Sequence, residues 1–181
     1  SETHAARRST VSRRRAGSGG VSTESRPRVG RLYRAVPRTS SVRREYIPIG
    51  YLDHAVIAAN DLQIVPQARL SDFALLTSKI HNAWVWITAG RLKSDYRYSA
   101  KFTYNTFPTP PASRAQFTKL EPLAQAVIDA RSAHPGATLA DLYDPDLMPA
   151  NLRKAHQALD RAVDQLYRNC PLYTSPTPRH R

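Results

Sequence analysis

Between Gly90 and Pro108 the chain reads GRLKSDYRYSAKFTYNTFP, a stretch that holds three kinds of side chain suited to nucleic acid. Arg91, Lys93, Arg97 and Lys101 are cations, Tyr96, Tyr98, Phe102, Tyr104 and Phe107 are planar rings, and Ser94, Ser99 and Asn105 both donate and accept hydrogen bonds. One carboxylate, Asp95, sits among the cations. Lysine donates to guanine O6 and N7, and aspartate accepts from cytosine N4. A Lys-x-Asp pair on one loop could therefore address both halves of a G·C pair in the major groove. Arg91, Ser94, Tyr98 and Lys101 are the candidates for phosphate contact, which positions a reader without carrying sequence information. The same residues also fit a basic surface loop followed by an ordinary amphipathic strand.

The elements that would position this stretch are legible on either side of it. In SDFALLTSKIHNAWVWITAGR, Ser71 can cap a helix with Asp72 in its first turn, and Phe73, Leu76, Ile80, Trp84 and Ile87 recur at spacings of three or four. Gly90 follows as the C′ residue, so the loop leaves a helix C-terminus, where Arg91 and Lys93 complement the dipole. His81, Trp84 and Trp86 are read as packing residues rather than as a ligand or stacking site. After the loop, Lys101–Phe107 alternates with period two and predicts a strand. Upstream, short strands are expected near Tyr46–Tyr51, Ala55–Ala59 and Leu62–Val65, with turns at Gly50/Asp53 and Asn60-Asp61. Pro48 makes the first of these an edge or irregular strand.

Charge is +13 over 181 residues and unevenly placed: residues 1–50 carry +9, residues 121–168 carry −2. Clustered cations favour a polyanionic partner, because neutralising phosphates releases condensed counterions. The single Cys170 excludes an internal disulfide and a multi-cysteine metal site and fits a reducing cytoplasm. No apolar run approaches the ~18–20 residues needed to span a bilayer. Residues 1–31 are rich in Arg, Ser, Thr and Gly with few large apolar side chains, and predict a disordered basic linker or arm. Residues 32–112 then read as a small domain of short strands and one helix, ended by the prolines of PTPPAS. Residues 113–169 form a helical domain, with helices at Glu121–His134 and Ala150–Asn169, a short turn of helix at Thr138, and a stripe of Leu152, Ala155, Leu159, Ala162, Val163 and Leu166. Residues 170–181 are a loose tail. The expected class is α+β: short strands and one amphipathic helix, then an α-helical segment.

Catalytic chemistry is missing from this pattern. The glycine cluster GSGG at 17–20 lacks the flanking strand and helix of a nucleotide-binding loop, and no His, Cys or carboxylate set has metal-ligand spacing. His156 and Asp160 read as a helix-surface i,i+4 pair rather than an acid/base dyad. Asp144 and Asp146, around Pro145, read as a helix-initiating turn. Asn105-Thr106-Phe107-Pro108 lacks the adjacent prolines with which amino-group DNA methyltransferases hold their target amine. The residues describe a reader without a catalyst.

Three long strings, PRTSSVRREYIPIGYLD, LTSKIHNAWVWITAGRLKSDYRYSAKFTYNTFP and LADLYDPDLMPANLRKAHQALDRAVDQLY, resemble the target recognition and C-terminal helical domains of MmeI-like, type IIL restriction–modification proteins. The resemblance covers about residues 36–168. It implies a bacterial parent polypeptide in which an endonuclease domain and an adenine-N6 methyltransferase domain precede this module. S-adenosylmethionine would then belong to the upstream methyltransferase domain, with no cofactor held by this chain and double-stranded DNA as partner. By position, Lys93 and Asp95 resemble the pair that reads the base pair next to the methylated adenine, here implying G. Arg97 and the Asn60-Asp61 turn resemble the readers of a more internal position. Residues 1–30 show no such resemblance, and NCPLYTSPTPRHR replaces an expected Arg/Glu-rich helix, which together with the initial Ser implies a fragment or a degenerate reading frame. Two other classes remain open at this point: a basic RNA-binding or ribosome-associated protein, stacking unpaired bases on Tyr96, Tyr98 and Tyr104, and a helical protein-interaction module.

Overall fold

The computed structural model describes residues 32–53, 55–66 and 69–168. The expected basic arm at 1–31, Cys170 and the tail at 170–181 lie outside the described residues. Two small antiparallel sheets are followed by helices, so the chain is α+β as expected.

In the first sheet β1 (Leu32–Pro37) runs between β3 (Gly50–Asp53) and β4 (Leu62–Val65), antiparallel to both, with Ala35 opposite Gly50 on one side and Ile64 on the other. Pattern reading misses β1, because its interior reads Tyr-Arg-Ala-Val and Arg34 interrupts the apolar signal. Arg34 is in fact buried, and its Nη2 donates to Asp72 of the first helix at 3.3 Å. The strand expected at Tyr46–Tyr51 forms only from Gly50 onward. Before it, Pro48 offers no amide donor, and the backbone closes a tight turn from Ile49 N to Ile47 O at 2.8 Å. Ala55–Ala59 is loop rather than strand, since Asp53 Oδ1 accepts from Ala55 N at 2.9 Å and Asp53 O from Val56 N at 2.9 Å. These local bonds take the donors a ladder would need.

The long helix expected from Ser71 is two helices, α1 (Leu70–Leu76) and α2 (Lys79–Thr88). Ser71 is buried within α1 and is not its cap; Ser78 caps α2, its Oγ accepting from His81 N and donating to Leu75 O at 2.7 Å. The break shifts the helical phase. Phe73 and Leu76 remain core, but α2 turns His81 and Val85 inward and leaves Ile87 78% exposed, so the single stripe does not survive.

Helix α3 (Arg114–Thr118), unanticipated, starts on a Ser113/Gln116 capping box. It leads to α4 (Glu121–Ser132), α5 (Leu139–Leu142) and α6 (Ala150–Arg168), close to where periodicity put them. A second box at Thr138/Asp141 starts α5, and the Thr138 hydrogen bonds hold the Asp141 carboxyl below its ordinary pKa. On α6, Leu152, Leu159 and Val163 are buried, with Ala155, Ala162 and Leu166 packed beside them. They close one apolar cluster that also holds Val36, Ile49 and Phe73, so a single core crosses the PTPPAS segment.

His156 and Asp160 are buried rather than a surface pair, and each bonds a tyrosine instead of the other. Tyr46 donates to Asp160 Oδ2 at 2.7 Å, while Lys79 N donates to Oδ1 at 2.9 Å and so ties α6 to the start of α2. Arg131 Nε donates to the Tyr143 hydroxyl at 2.9 Å, and that hydroxyl contacts His156 Nε2 at 2.6 Å. Because Tyr143 accepts from a guanidinium, its own proton goes to His156, whose ring is neutral. Burial, then the charges of Arg131 and Lys79, hold His156 well below its ordinary pKa.

Candidate nucleic-acid interface

A second sheet carries the signature stretch, with β6 (Asp95–Arg97) between β2 (Thr39–Ser40) and β5 (Gly90–Leu92). Gly90 follows the helical C-cap Ala89 but opens β5 instead of turning left-handed. β5 and β6 form a hairpin with Leu92 opposite Asp95 and a two-residue tip, Lys93-Ser94. Tips of this length match the strand twist only when the first tip residue takes positive φ. Lys93 does so at φ 57°, the only non-glycine to do so among the described residues. The hairpin thus projects its lysine from a backbone region that ordinarily selects glycine or asparagine.

Register sorts the side chains. Asp95 and Arg97, two apart on β6, share the outer face with Leu92, Gly90 and Thr39. Gly90 lies directly opposite Arg97, so no side chain crowds the guanidinium from that side. Arg91 pairs with Tyr96 on the other face and stacks on its ring at 4.3 Å. Ser94 is exposed at the tip, and Lys101 is exposed beyond the sheet. Tyr98 is a correction: it is buried, and its hydroxyl meets His81 Nε2 at 3.1 Å, so it is a core residue and not a phosphate contact. Burial drives the Tyr98 pKa up and lowers that of His81 to about 4. His81 and Trp84 pack as expected, Trp84 Nε1 donating to Thr103 O at 3.1 Å, whereas Trp86 stands 64% exposed.

The Asn60-Asp61 turn is joined to this sheet through Arg38, a residue the sequence reading passed over. Arg38 N donates to Asp61 O at 2.8 Å, and Arg38 O accepts from Tyr98 N at 2.7 Å. Arg38 therefore stitches the two sheets together, with the Asn60-Asp61 turn on one side and Arg97 on the other. Its position between Pro37 and Thr39 carries no periodic signal, and only the pairing of the sheets reveals it. A cleft of about 450 Å³ opens at this junction, lined by Arg38, Gln63, Gly90, Arg97 and Phe102 among others. Arg38, Lys93, Arg97 and Lys101 form no ion pair among the described residues. Arg38 and Arg97 thus line the cleft without an ion-pair partner among those residues, which gives it a positive field suited to phosphates.

Residues 6–111 match the family model for the MmeI target recognition domain, and residues 112–180 that for the MmeI C-terminal domain. The chain belongs to the MmeI family. Both ends thus fall largely within the matched ranges, which corrects the expectation that residues 1–30 and the final segment depart from the family. DNA methyltransferase A of Bacillus subtilis (strain 168) is 41% identical over 133 residues, covering 74% of this chain and 15% of that protein. The solved structure of the type IIL restriction-modification enzyme MmeI in complex with DNA superposes with a TM-score of 0.74 at 44% identity, covering 84% of this chain and 20% of that one. The chain therefore spans a fifth or less of the length of these two relatives. Among the described residues no group of His, Cys, Asp or Glu could hold a metal ion, and no helix is long and apolar enough to cross a membrane.

Proposed function

We propose that this chain is the DNA target-recognition module of a site-specific adenine-N6 methyltransferase of the type IIL restriction–modification kind, presenting the Lys93-Ser94 hairpin to the major groove. The observation that supports it most is the hairpin: unpaired cations gathered on the outer edge of a small sheet, in a fold shared with an MmeI structure bound to DNA. Lys93 donates to guanine and Asp95 accepts from the paired cytosine next to the methylated adenine. Arg97, with the Asn60-Asp61 turn across Arg38, reads a more internal pair. Arg91, Ser94 and Lys101 contact phosphates. The partners are duplex DNA and an upstream methyltransferase domain in a bacterial cytoplasm.

S-adenosylmethionine belongs to that upstream domain, and the residues described here do not fit it. Both sheets are antiparallel, and the described glycines Gly50, Gly90 and Gly136 open two strands and follow a helix, so none forms a strand-to-helix phosphate or ribose cradle. No chemical step is assigned to this chain.

Fluorescence anisotropy of the purified chain on duplex DNA tests the reading. Affinity falls with salt by roughly 0.9 log units per log unit for each phosphate neutralised. A flat response, or tighter binding to single-stranded RNA, contradicts it.

A further inference from the structure

Phe102 is 61% exposed on the rim of the cationic cleft, although the other rings of its segment, Tyr98, Tyr104 and Phe107, are buried or packed against the core. Its placement follows from a local irregularity. Where a strand is expected over Lys101–Phe107, residues Ala100–Tyr104 form a π-helical turn. The wide turn is closed by Tyr104 N donating to Ser99 O at 3.1 Å and Asn105 N to Ala100 O at 2.9 Å. Ser99 Oγ accepts from Phe102 N at 3.3 Å, and Thr106 Oγ1 donates to Phe102 O at 2.6 Å. On the inner side Thr103 is buried, and its carbonyl is held by Trp84 of α2. With Thr103 pinned inward, Phe102 points away from the core. Turns of this kind concentrate at functional sites.

Phe102 shares the cleft with Arg38, Gln63 and Arg97, side chains that donate to base edges, and Lys101 Nζ lies 5.3 Å from the centroid of its ring. In the major groove the thymine C5-methyl is the one apolar group a base pair presents, and phenylalanine is among the side chains that contact it. We infer that Phe102 is a specificity-determining residue that packs against a thymine methyl within the recognition site, supplying the apolar part of a readout whose polar part comes from the surrounding donors. This inference rests on the DNA-recognition reading above. One ring face is occupied by Lys101, and the neighbours address base edges, so methyl contact is favoured over stacking on an unpaired base.

The test uses the full chain. Duplexes enriched by it from a random-sequence pool are resynthesised with each thymine replaced singly by uracil, which removes the methyl and leaves the hydrogen-bonding edge intact. Anisotropy should show one replacement that weakens binding about fourfold, the value of one buried methyl-sized group. Phe102→Ala should bind the thymine duplex as weakly as the wild type binds the uracil one and should no longer distinguish them. Phe102→Leu, still apolar, should keep part of the discrimination, and all three proteins should share one salt slope. Undiminished discrimination in Phe102→Ala, or indifference to uracil at every position, overturns the inference while a steep salt slope leaves the DNA-recognition reading standing. Absence of any salt-dependent duplex affinity overturns both. Preference for single strands that is lost in Phe102→Ala would assign the ring to base stacking instead.

Discussion

At the scale of single residues, the hairpin tip separates fold from function. A side chain in the left-handed region costs roughly 1–2 kcal/mol relative to glycine, and glycine's greater unfolded-state freedom returns about 0.5–1 of that. Lys93→Gly should therefore leave stability unchanged or raise it by up to about 1.5 kcal/mol in urea melts, while abolishing discrimination at the base pair proposed for Lys93. A loss of stability would show that the lysine is held by contacts other than its role in recognition. His81 makes a prediction of the opposite kind. Its pKa of about 4 in the folded chain lies below the ordinary value of 6.5, so the unfolded state binds more protons between those limits. Its contribution is complete above pH 6.5 and is lost as pH falls toward 4, with a slope of at most about 1.4 kcal/mol per pH unit. His156 acts in the same sense, whereas Asp160, its pKa raised chiefly by burial, acts oppositely above the ordinary carboxylate value. Replacing His81 with Gln should flatten the slope measured by denaturation between pH 6.5 and 4, and an unchanged slope would remove His81 from the account. Residue types single out Lys93 and Asp95 in the sequence as candidate readers, a role that the graft experiment below tests. The burial of Tyr98 was not legible there, because a tyrosine between Arg97 and Ser99 reads as surface until His81 is seen to bury its hydroxyl.

Among the elements, the sequence starts one long helix before the hairpin at Ser71, because Asp72 follows it. Tertiary packing chooses Ser78: Phe73, Ala74, Leu75 and Leu76 fill the core, and the chain must reorient before α2 can place His81 and Val85. Ser78→Ala removes the cap and should cost about 1 kcal/mol. Because α2 ends at the hairpin, the same change should weaken duplex binding more than a control such as Ser113→Ala, which uncaps the remote α3. Equal effects in anisotropy would show that α2 does not set the hairpin. The alternation in KFTYNTF favours a strand with Phe102, Tyr104 and Thr106 on one face, but a wide turn bonded at Ser99 and Ala100 instead packs Thr103, Tyr104 and Phe107 inward and exposes Phe102. The helices beyond Pro111 were legible because long amphipathic stripes with capping residues leave few alternatives.

In the whole molecule, one core joins the recognition segment to the C-terminal helices, and its polar ties run between them: Tyr46 to Asp160, Lys79 N to Asp160, and Arg131 Nη1 to Ile49 O at 2.9 Å. Tyr46→Phe leaves a buried carboxylate oxygen without its donor and should cost about 1–3 kcal/mol in chemical denaturation. A near-neutral result would show that the site rehydrates. The sequence revealed each segment's class but not this continuity, since His156 and Asp160 look like a solvated i,i+4 pair until α6 is seen packed against α1, α2 and α4. The central claim is that this assembly holds a hairpin whose Lys93 and Asp95 read opposite halves of one base pair. The measurement that tests it most directly grafts the module, with Lys93→Glu and Asp95→Arg combined, onto a related methyltransferase domain and maps the methylated sites by sequencing. Each base contact carries on the order of 1–3 kcal/mol of discrimination. Either single change should therefore blur the preference, and the double change should restore it as C·G in place of G·C. An active double variant that still methylates the original G·C site would contradict the account.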